Sequence, residues 1–379
     1  MRSWLRRTGK ILKWAVAALV VVALAAVVDG WTAFGKRAPL ATMQRSPEFA
    51  GGKFHNPQPL DNPAKEMLRG MFHTSDDVSP RSPVPVVKTD PALLRTPTEL
   101  RVTWLGHSTS LVEIEGTRVL FDPVWSDRVG PVHLVGPRPW YPPPIALADL
   151  PPVDVVVISH DHYDHLDMKT IQAMREWKTR FVVPTAVGAN LRYWGIPADR
   201  IEERDWWEST RVGEIEIVCL PARHAAGREV VDDDGKLWAG WALLGHGHRV
   251  YYSGDTGLFP AMHDIGAKYG PFDLTMIEVG QYGAGWPDWH IGPEQAVKAH
   301  AWVRGRLMLP VHWAKLALAY HGWTEPIERV LAAAGDTKLV IPRPGQTFEP
   351  ANPPPVARWW PSLPWHTAAR DPIVSTLVE

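Results

Sequence analysis

A short run of histidines and aspartates, placed directly after an apolar stretch, constrains the fold of this chain more than any other feature. Residues 159–167 read SHDHYDHLD, and residues 153–158 read VDVVVI. The apolar stretch is typical of a buried strand. Side chains two residues apart on an extended segment point the same way, so we expect His160 and His162 to lie on one side of it.

A turn after this strand would direct Asp164 and His165 towards a second position. Imidazole nitrogens and carboxylate oxygens together suit a divalent cation such as zinc, and a mixed set leaves coordination positions open for water and substrate. The alternative is a polar loop in which histidines occur by chance. Only 16 of the 379 residues are histidine, so this local density favours a catalytic metal site.

Further candidate ligands follow other strand-like segments. His224 comes after the alternating pattern of residues 215–221, and His312 follows the apolar residues 307–311. Asp255 stands between glycines, which allow the backbone to approach an ion closely. A single histidine after a strand is more often a surface or packed residue than a ligand. These three residues are stronger candidate ligands because the first motif already predicts a metal.

These residues and their order resemble the metallo-β-lactamase fold. Within that fold the chain resembles the N-acylphosphatidylethanolamine-hydrolysing phospholipases D and their bacterial relatives. The HxHxDH motif at residues 160–165 carries the resemblance to the fold, with His224, Asp255 and His312 following in order. Segments at and around the ligands carry the resemblance to this group: residues 104–109, 122–126, 136–139, 159–167, 205–207, 254–257, 312–313 and 316–319.

The resemblance implies an α/β fold, an αββα sandwich of the metallo-β-lactamase type behind an N-terminal hydrophobic segment. It also implies two divalent cations, expected to be Zn²⁺. By matched position, one cation would be held by His160, His162 and His224. The other would be held by Asp164, His165 and His312. Asp255 would bridge the two cations.

Such a centre predicts hydrolysis. Coordination lowers the pKa of water to about 7, which supplies a nucleophilic hydroxide without a side-chain base. Asp164 and Asp255, as ligands beside the reacting water, would be catalytic carboxylates. The resemblance implies that a membrane-associated, phospholipase D-type phosphodiesterase acts here on N-acylphosphatidylethanolamine-like phospholipids. Its products would be phosphatidic acid and N-acylethanolamine.

Two alternatives stay open. The chain could be a metal-dependent hydrolase of a lactone or another ester, because one fold hosts many chemistries. It could also be a non-enzymatic metal-binding envelope protein. A structural zinc normally has four protein ligands, so seven candidate ligands disfavour this second alternative.

Other residues are candidates for proton transfer and substrate binding. His290 and His321 are candidate acids for the leaving group, and His290 and Tyr163 are candidate substrate-binding residues. Each of these three side chains could equally be packed or exposed without a catalytic role. Asp167 is a candidate for orienting a ligand histidine, as metal-bound imidazoles usually require.

The N-terminus combines a basic flank with an apolar stretch. Five basic residues precede residues 14–28, which carry no charge. Counted from Ile11, the segment has eighteen residues, which is just long enough to span a bilayer. We favour an uncleaved membrane anchor; the alternative is a cleaved signal peptide, for which residues 23–25 offer a small-residue site. In either case the basic flank predicts that the catalytic domain is exported, to the periplasmic side in a bacterium.

The rest of the sequence predicts one large domain. We expect that residues 1–34 form a basic flank with a membrane segment, and that residues 35–98 form a linker and wrapping segment. Residues 99–350 are expected to form the catalytic domain, and residues 351–379 form a Pro/Trp-rich tail. Cys219 is the only cysteine, so no intramolecular disulfide forms. The net charge is −1 and no long basic tract follows the N-terminal flank, which argues against nucleic-acid binding. The expected partners are a membrane and a phospholipid or other small ester; a homodimer is left open.

Strand and helix patterns alternate within the catalytic domain, which favours an α/β architecture. Strands are predicted at residues 100–105, 110–114, 118–121 and in the segment that leads to His160. Helices are predicted at residues 168–177, 293–303 and 325–334. The chain has 20 tryptophans, and four of them are candidates for a lipid-facing groove, with ordinary packing as the alternative: Trp125, Trp140, Trp286 and Trp289.

Overall fold

The computed structural model describes residues 2–96, 98–228 and 234–378, which form two large β-sheets covered by helices and a separate two-stranded sheet made of the first two strands of the chain. The helices within these residues are α1 (Arg2–Gly30), α2 (Leu40–Met43), α3 (Ala64–Phe72), α4 (Met168–Ala173), α5 (Gly188–Tyr193), α6 (Met262–Tyr269), α7 (Pro293–Trp302) and α8 (Glu325–Ala333). The strands are β1 (Phe49–Ala50), β2 (Lys53–Phe54), β3 (Leu100–Gly106), β4 (Thr109–Ile114), β5 (Thr117–Phe121), β6 (Val155–Val157), β7 (Arg180–Pro184), β8 (Ile201–Arg204), β9 (Ser209–Val212), β10 (Ile215–Leu220), β11 (Gly240–Leu244), β12 (Arg249–Tyr252), β13 (Leu274–Glu278), β14 (Met308–Val311) and β15 (Thr347–Phe348).

Two mixed sheets form the centre of the domain. The first sheet has the order β15-β3-β4-β5-β6-β7-β8, and the second has the order β14-β13-β12-β11-β10-β9. Neighbouring strands are parallel from β5 to β8 and from β12 to β14. The carboxyl ends of parallel neighbours lie at one edge of a sheet, so the loops that follow these strands leave each sheet on the same side.

Alternating burial along the strands explains why the sheets form a sandwich. In β5, Val119 and Phe121 pack in the larger hydrophobic core with residues of the second sheet, such as Ile217. Leu120, between them, packs in a separate core with Ile171 of α4. Because successive side chains of a strand point to opposite faces, one face of the first sheet meets the second sheet and the other meets helices. This αββα arrangement confirms the fold class predicted from the sequence.

The elements predicted from sequence patterns are present with small differences at their ends. β3, β4 and β5 match the three predicted strands, and β6 leads to His160. α7 and α8 each end one residue before the predicted bound. α4 is shorter than predicted, since it ends at Ala173 and residues 174–177 turn the chain towards β7. Cys219 is buried in β10.

α1 is long and apolar enough to cross a membrane. Its segment Leu12–Gly30 has a mean hydropathy of 2.2, and the most apolar stretch is not buried against the rest of the protein. These properties suit a membrane anchor or a signal segment. At the end of the helix, the carboxylate of Asp29 accepts hydrogen bonds from the backbone N–H and the ring Nδ1 of His133, both at 2.7 Å. Just beyond it, the carbonyl of Thr32 accepts a 2.8 Å hydrogen bond from the indole of Trp194.

The segment before the catalytic domain wraps against it. Phe54 of β2 and Leu94 are buried, each in one of the two hydrophobic cores. The side chain of Asn56 donates to the backbone carbonyl of His224 at 2.7 Å and accepts from its N–H at 2.8 Å. The wrapping segment therefore also supports the backbone of a predicted metal ligand.

The C-terminal tail packs on the second sheet through two tryptophans. The ring of Trp359 stacks on Trp313 at 5.3 Å, and the ring of Trp360 meets Trp313 edge-on at 5.6 Å. Trp360 is buried, and its indole N–H donates to the carboxylate of Glu328 at 2.7 Å. The tail is thus part of the core in this region.

Replacing Trp360 with alanine should destabilise the domain by about 3–5 kcal/mol, because it removes a buried aromatic side chain and leaves a cavity. Trp365 lies half-buried in the same tail, and Trp365→Ala is the matched control, with a much smaller expected loss. The free energy of unfolding of both variants would be measured by chemical denaturation. Equal losses would contradict a core role for Trp360.

Candidate metal centre

Strand ends from both sheets place ionisable side chains at one edge of the sandwich. His160 follows β6 of the first sheet, while His224, Asp255 and His312 follow β10, β12 and β14 of the second. The other predicted ligands lie in the loop after β6. The structure therefore brings all seven predicted ligands together.

Three histidines form the first group of potential ligands. Nε2 of His160 lies 2.9 Å from Nδ1 of His162, and Nε2 of His224 lies 3.2 Å from the same atom. Burial lowers the pKa of His160 and of His224 well below the usual value. These imidazoles are therefore neutral, which is the form that binds a metal.

Asp164, His165 and His312 form the second group. Oδ2 of Asp164 lies 3.4 Å from Nε2 of each histidine. Asp255 lies between the two groups. Its Oδ2 is 3.0 Å from Nε2 of His165 and 3.1 Å from Nε2 of His312, and it is 3.7 Å from Nε2 of His160. This is the place that the sequence predicted for a bridging carboxylate.

The chemistry of these donors fits a cation. Three buried atoms make no hydrogen bond within the described part of the chain: Nε2 of His165, Nε2 of His312 and Oδ1 of Asp255. Burial opposes charge on both histidines, but the surrounding carboxylates, Asp255 and Asp164 among them, together outweigh it and raise both pKa values, that of His312 to about 10. Positive charge is therefore favoured at this point, and a divalent cation held by the same atoms would supply it.

Asp122 orients one of these histidines and was not predicted as a site residue. Its Oδ2 accepts Nδ1–H of His165 at 2.7 Å and the hydroxyl of Tyr252 at 2.5 Å. Both carboxylate oxygens also accept hydrogen bonds from Ser159. Such a bond fixes the tautomer and direction of a metal-binding imidazole. The available signal was its position directly after β5, the same signal that pointed to His224 and His312.

His107 is a second site residue that the sequence analysis missed. Its Nε2 lies 2.8 Å from Oδ2 of Asp164, and its ring lies 4.1 Å from that of His312. Burial lowers the pKa of His107 to about 3, so a neutral ring donates to the carboxylate. The carbonyl of His107 also accepts the backbone N–H of His312 at 3.0 Å. His107 therefore positions two potential ligands, and it too directly follows a strand.

Glu278 and His290 extend the site beyond the seven ligands. Nδ1 of His290 is 2.8 Å from Oε2 of Glu278. The ring of His290 stacks on His312 at 5.2 Å and meets His224 edge-on at 5.0 Å. Glu278 is buried at the end of β13, and burial raises the pKa of its carboxyl group. His290 is therefore close to both groups of ligands, as a catalytic or substrate-binding residue would need to be.

Backbone strain accompanies this arrangement. The φ angles of His107, Asp122 and His312 are 55°, 38° and 64°. Positive φ is uncommon for residues other than glycine and clusters at functional sites. Gly254 has a φ of 58°, and a Cβ atom there would lie 2.7 Å from a backbone carbonyl oxygen. The glycine before Asp255 is thus needed for close approach of the backbone, as the sequence indicated.

Arg228 holds the loop that carries the HxHxDH motif. Its Nη1 donates to the carbonyls of Asp161 and Leu166 at 2.7 and 2.8 Å, and its Nε donates to the carbonyl of Ala33 at 2.8 Å. The hydroxyl of Tyr163 donates to the carbonyl of Arg228 at 2.6 Å, and the guanidinium lies 3.9 Å from the centre of the Tyr163 ring. Tyr163 therefore packs beside the loop, and its contact with substrate stays a prediction.

One predicted role stays a prediction and another needs correction. Nε2 of His321 accepts the N–H of Gln281 and Nδ1 donates to the carbonyl of Gly322, both at 2.9 Å. The role of His321 as an acid for the leaving group stays a prediction. Asp167 caps α4 by accepting a backbone N–H of its first turn. It forms no contact with a ligand histidine in the described residues, so the orienting role belongs to Asp122.

Comparisons with known proteins agree with this geometry. Residues 117–313 match a family model described as a beta-lactamase superfamily domain. An uncharacterized protein of Mycobacterium tuberculosis is 45% identical over 333 residues, which is 84% of this chain and 89% of that protein. The N-acyl-phosphatidylethanolamine-hydrolyzing phospholipase D 1 of Caenorhabditis elegans is 38% identical over 269 residues, 67% of this chain and 76% of that protein. A metallo hydrolase from Ignicoccus hospitalis has a similar fold, with a TM-score of 0.51, 24% identity and coverage of 66% of this chain and 99% of that one.

Replacing Asp122 with asparagine should weaken binding of the metal at the His165 position by about 10–100-fold, because the imidazole loses the acceptor that orients it. Metal affinity would be measured by competition with a chelator, and bound metal by elemental analysis. Asp149→Asn, at an exposed position, is the matched control and should bind metal as the original chain does. Unchanged affinity in a folded Asp122→Asn protein would rule out the orienting role.

Proposed function

This chain belongs to the metallo-β-lactamase superfamily, and from that premise we propose that it is a membrane-associated phosphodiesterase with two divalent cations, expected to be Zn²⁺. Its substrates are N-acylphosphatidylethanolamine-like phospholipids. The observation that carries the proposal is the set of seven potential ligands, five of them buried and His162 and Asp164 half-buried, arranged in two groups around Asp255. The similarity to the phospholipase D of Caenorhabditis elegans supports the substrate class.

The chain contributes a fixed set of donors. One cation would be held by His160, His162 and His224, and the other by Asp164, His165 and His312. Asp255 would contribute to both. When bound, such a pair of cations supplies Lewis acidity for the phosphoryl oxygens and lowers the pKa of water to about 7. Asp122 and His107 keep the donors in place, which limits reorganisation during the reaction.

The reaction exchanges one P–O bond for another. Water adds to phosphorus, the bond from phosphorus to the N-acylethanolamine oxygen breaks, and that oxygen takes up a proton. The products are phosphatidic acid and N-acylethanolamine. We assign the proton transfer to His290, because Glu278 fixes its Nδ1. Its Nε2 forms no hydrogen bond to the described residues, so it is available to face the leaving group.

The N-terminal helix and four tryptophans support a substrate that lies in a membrane. α1 is suited to an anchor, and the basic flank before it predicts that the catalytic domain lies on the exported side. Four tryptophans that would line a lipid-facing groove are half-buried: Trp125, Trp140, Trp286 and Trp289. Partly exposed indoles are typical of surfaces that contact the membrane interface.

The first experiment is an assay of the full chain, purified in detergent micelles and loaded with zinc, on N-acylphosphatidylethanolamine. We expect release of phosphatidic acid, which chelation of the metal abolishes. Asp255→Asn should abolish it as well, whereas the exposed Asp149→Asn should not. Absence of release from protein that holds two metals would overturn this substrate. The same preparation would then be assayed on lactones and carboxyl esters, the alternative hydrolase class; absence of activity on these too would favour a non-enzymatic metal-binding protein.

The role of His290 has its own test. His290→Asn should lower kcat on the phospholipid by about 100–10,000-fold, the usual contribution of a general acid, without loss of bound metal. A p-nitrophenyl phosphodiester has a leaving group that needs no protonation, so the variant should hydrolyse it almost as well as the original chain. An equal loss of kcat on both substrates would show that His290 acts in another way.

A further inference from the structure

Lys315 is a buried lysine that forms no ion pair with the described residues, although the more distant carboxylate of Asp167 attracts its charge. It is 2% exposed, and its Nζ donates one long hydrogen bond, of 3.3 Å, to the carbonyl of Val124. Among the described residues, no carboxylate forms an ion pair with it. An ammonium group has three donors, and burial of an unpaired charge is unfavourable. Burial accordingly lowers the pKa of Lys315, to about 8.

Lys315 lines a cavity of about 330 Å³ between two loops. Residues 124–127 lie on one side, and the apolar and aromatic residues 139–143 form the other wall. The backbone N–H of Trp140 donates to the carbonyl of Lys315 at 2.9 Å, which fixes this wall to the lysine. The volume falls in the range of small-molecule sites, about 300–1,000 Å³.

A second cationic side chain lines the same cavity. Arg138 is exposed and forms no ion pair or side-chain hydrogen bond with the residues that the structure describes. Asp127 is the one acid of the lining, it is exposed, and it pairs with neither cation. The lining therefore has an excess of positive charge and of unused donors.

We propose that this cavity is a phosphate-binding site. A guanidinium offers paired donors to phosphate oxygens and an ammonium adds a point charge. The wall of residues 139–143 would take an apolar group attached to that phosphate. None of the seven potential metal ligands lines the cavity, so this site differs from the metal centre. It is adjacent to that centre, because Lys315 follows His312 by three residues and Val124 follows Asp122 by two.

The inference does not depend on hydrolysis, because binding is measured without turnover. Inorganic phosphate would be titrated by calorimetry into the metal-loaded full chain in detergent. We expect one phosphate more than the metal centre accounts for. Lys315→Met and Arg138→Gln should each weaken this additional binding by about 10–100-fold, since each removes charge-assisted hydrogen bonds. Phosphate binding at the metal centre should remain in both variants.

The exposed Lys178→Met and Arg343→Gln remove the same charges elsewhere and should bind phosphate as the original chain does. Lys315→Arg retains the charge and should regain part of the binding. Arg138 is exposed, so Arg138→Gln keeps the test decisive if Lys315→Met fails to fold. Equal phosphate binding by the original chain and Arg138→Gln would overturn the proposal.

A separate measurement distinguishes a lipid headgroup from free phosphate as the ligand. Binding of the same proteins to vesicles of phosphatidylcholine, with and without phosphatidic acid, would be measured by sedimentation. A preference for phosphatidic acid that both Lys315→Met and Arg138→Gln lose supports a lipid headgroup as the ligand. The additional calorimetric binding without a vesicle preference supports free phosphate.

Discussion

The structure depends on the cost of burying imidazoles and carboxylates together. Parallel strands in both sheets end at one edge, and the residues after them meet in a volume from which water is largely excluded. Polar groups in such a place need partners, because an unpaired buried charge costs more free energy than a typical core contact provides. A cation bound here would satisfy the atoms that the protein itself leaves without hydrogen bonds. Metal binding would then be coupled to correct folding of this edge.

Much of the surrounding chain holds this edge in place. Asp122 and His107 support donors of the second group from the first sheet, and Glu278 supports His290 from the second. The backbone of His224 is held by Asn56, which lies far before the domain in sequence. A site formed from so many separate segments tolerates few local changes. Its rigidity is also what electrostatic catalysis requires.

The candidate ligands could be predicted from local patterns, and the αββα fold class followed from the resemblance that these residues carry. An apolar strand followed by HxHxDH can be read within fifteen residues, and the strand-end signal located His224 and His312. The same signal applied to His107 and Asp122, but a lone polar residue after a strand is ordinary, and only their distances to the ligands identify them. The error at Asp167 has a related cause: its carboxylate bonds to nearby backbone, which a residue type does not reveal.

The junction between α1 and the domain has a mechanical consequence. Asp29, Thr32 and Ala33 are each hydrogen-bonded to the folded body, and the bond from Ala33 ends on the guanidinium that also holds the motif loop. A flexible tether would let the domain sample many tilts and heights. These hydrogen bonds instead hold the end of the helix against the domain. The direction of the helix therefore determines the direction in which the edge with the candidate metal ligands faces. Cleavage at residues 23–25 would release the domain from the apolar part of the helix and leave these hydrogen bonds intact.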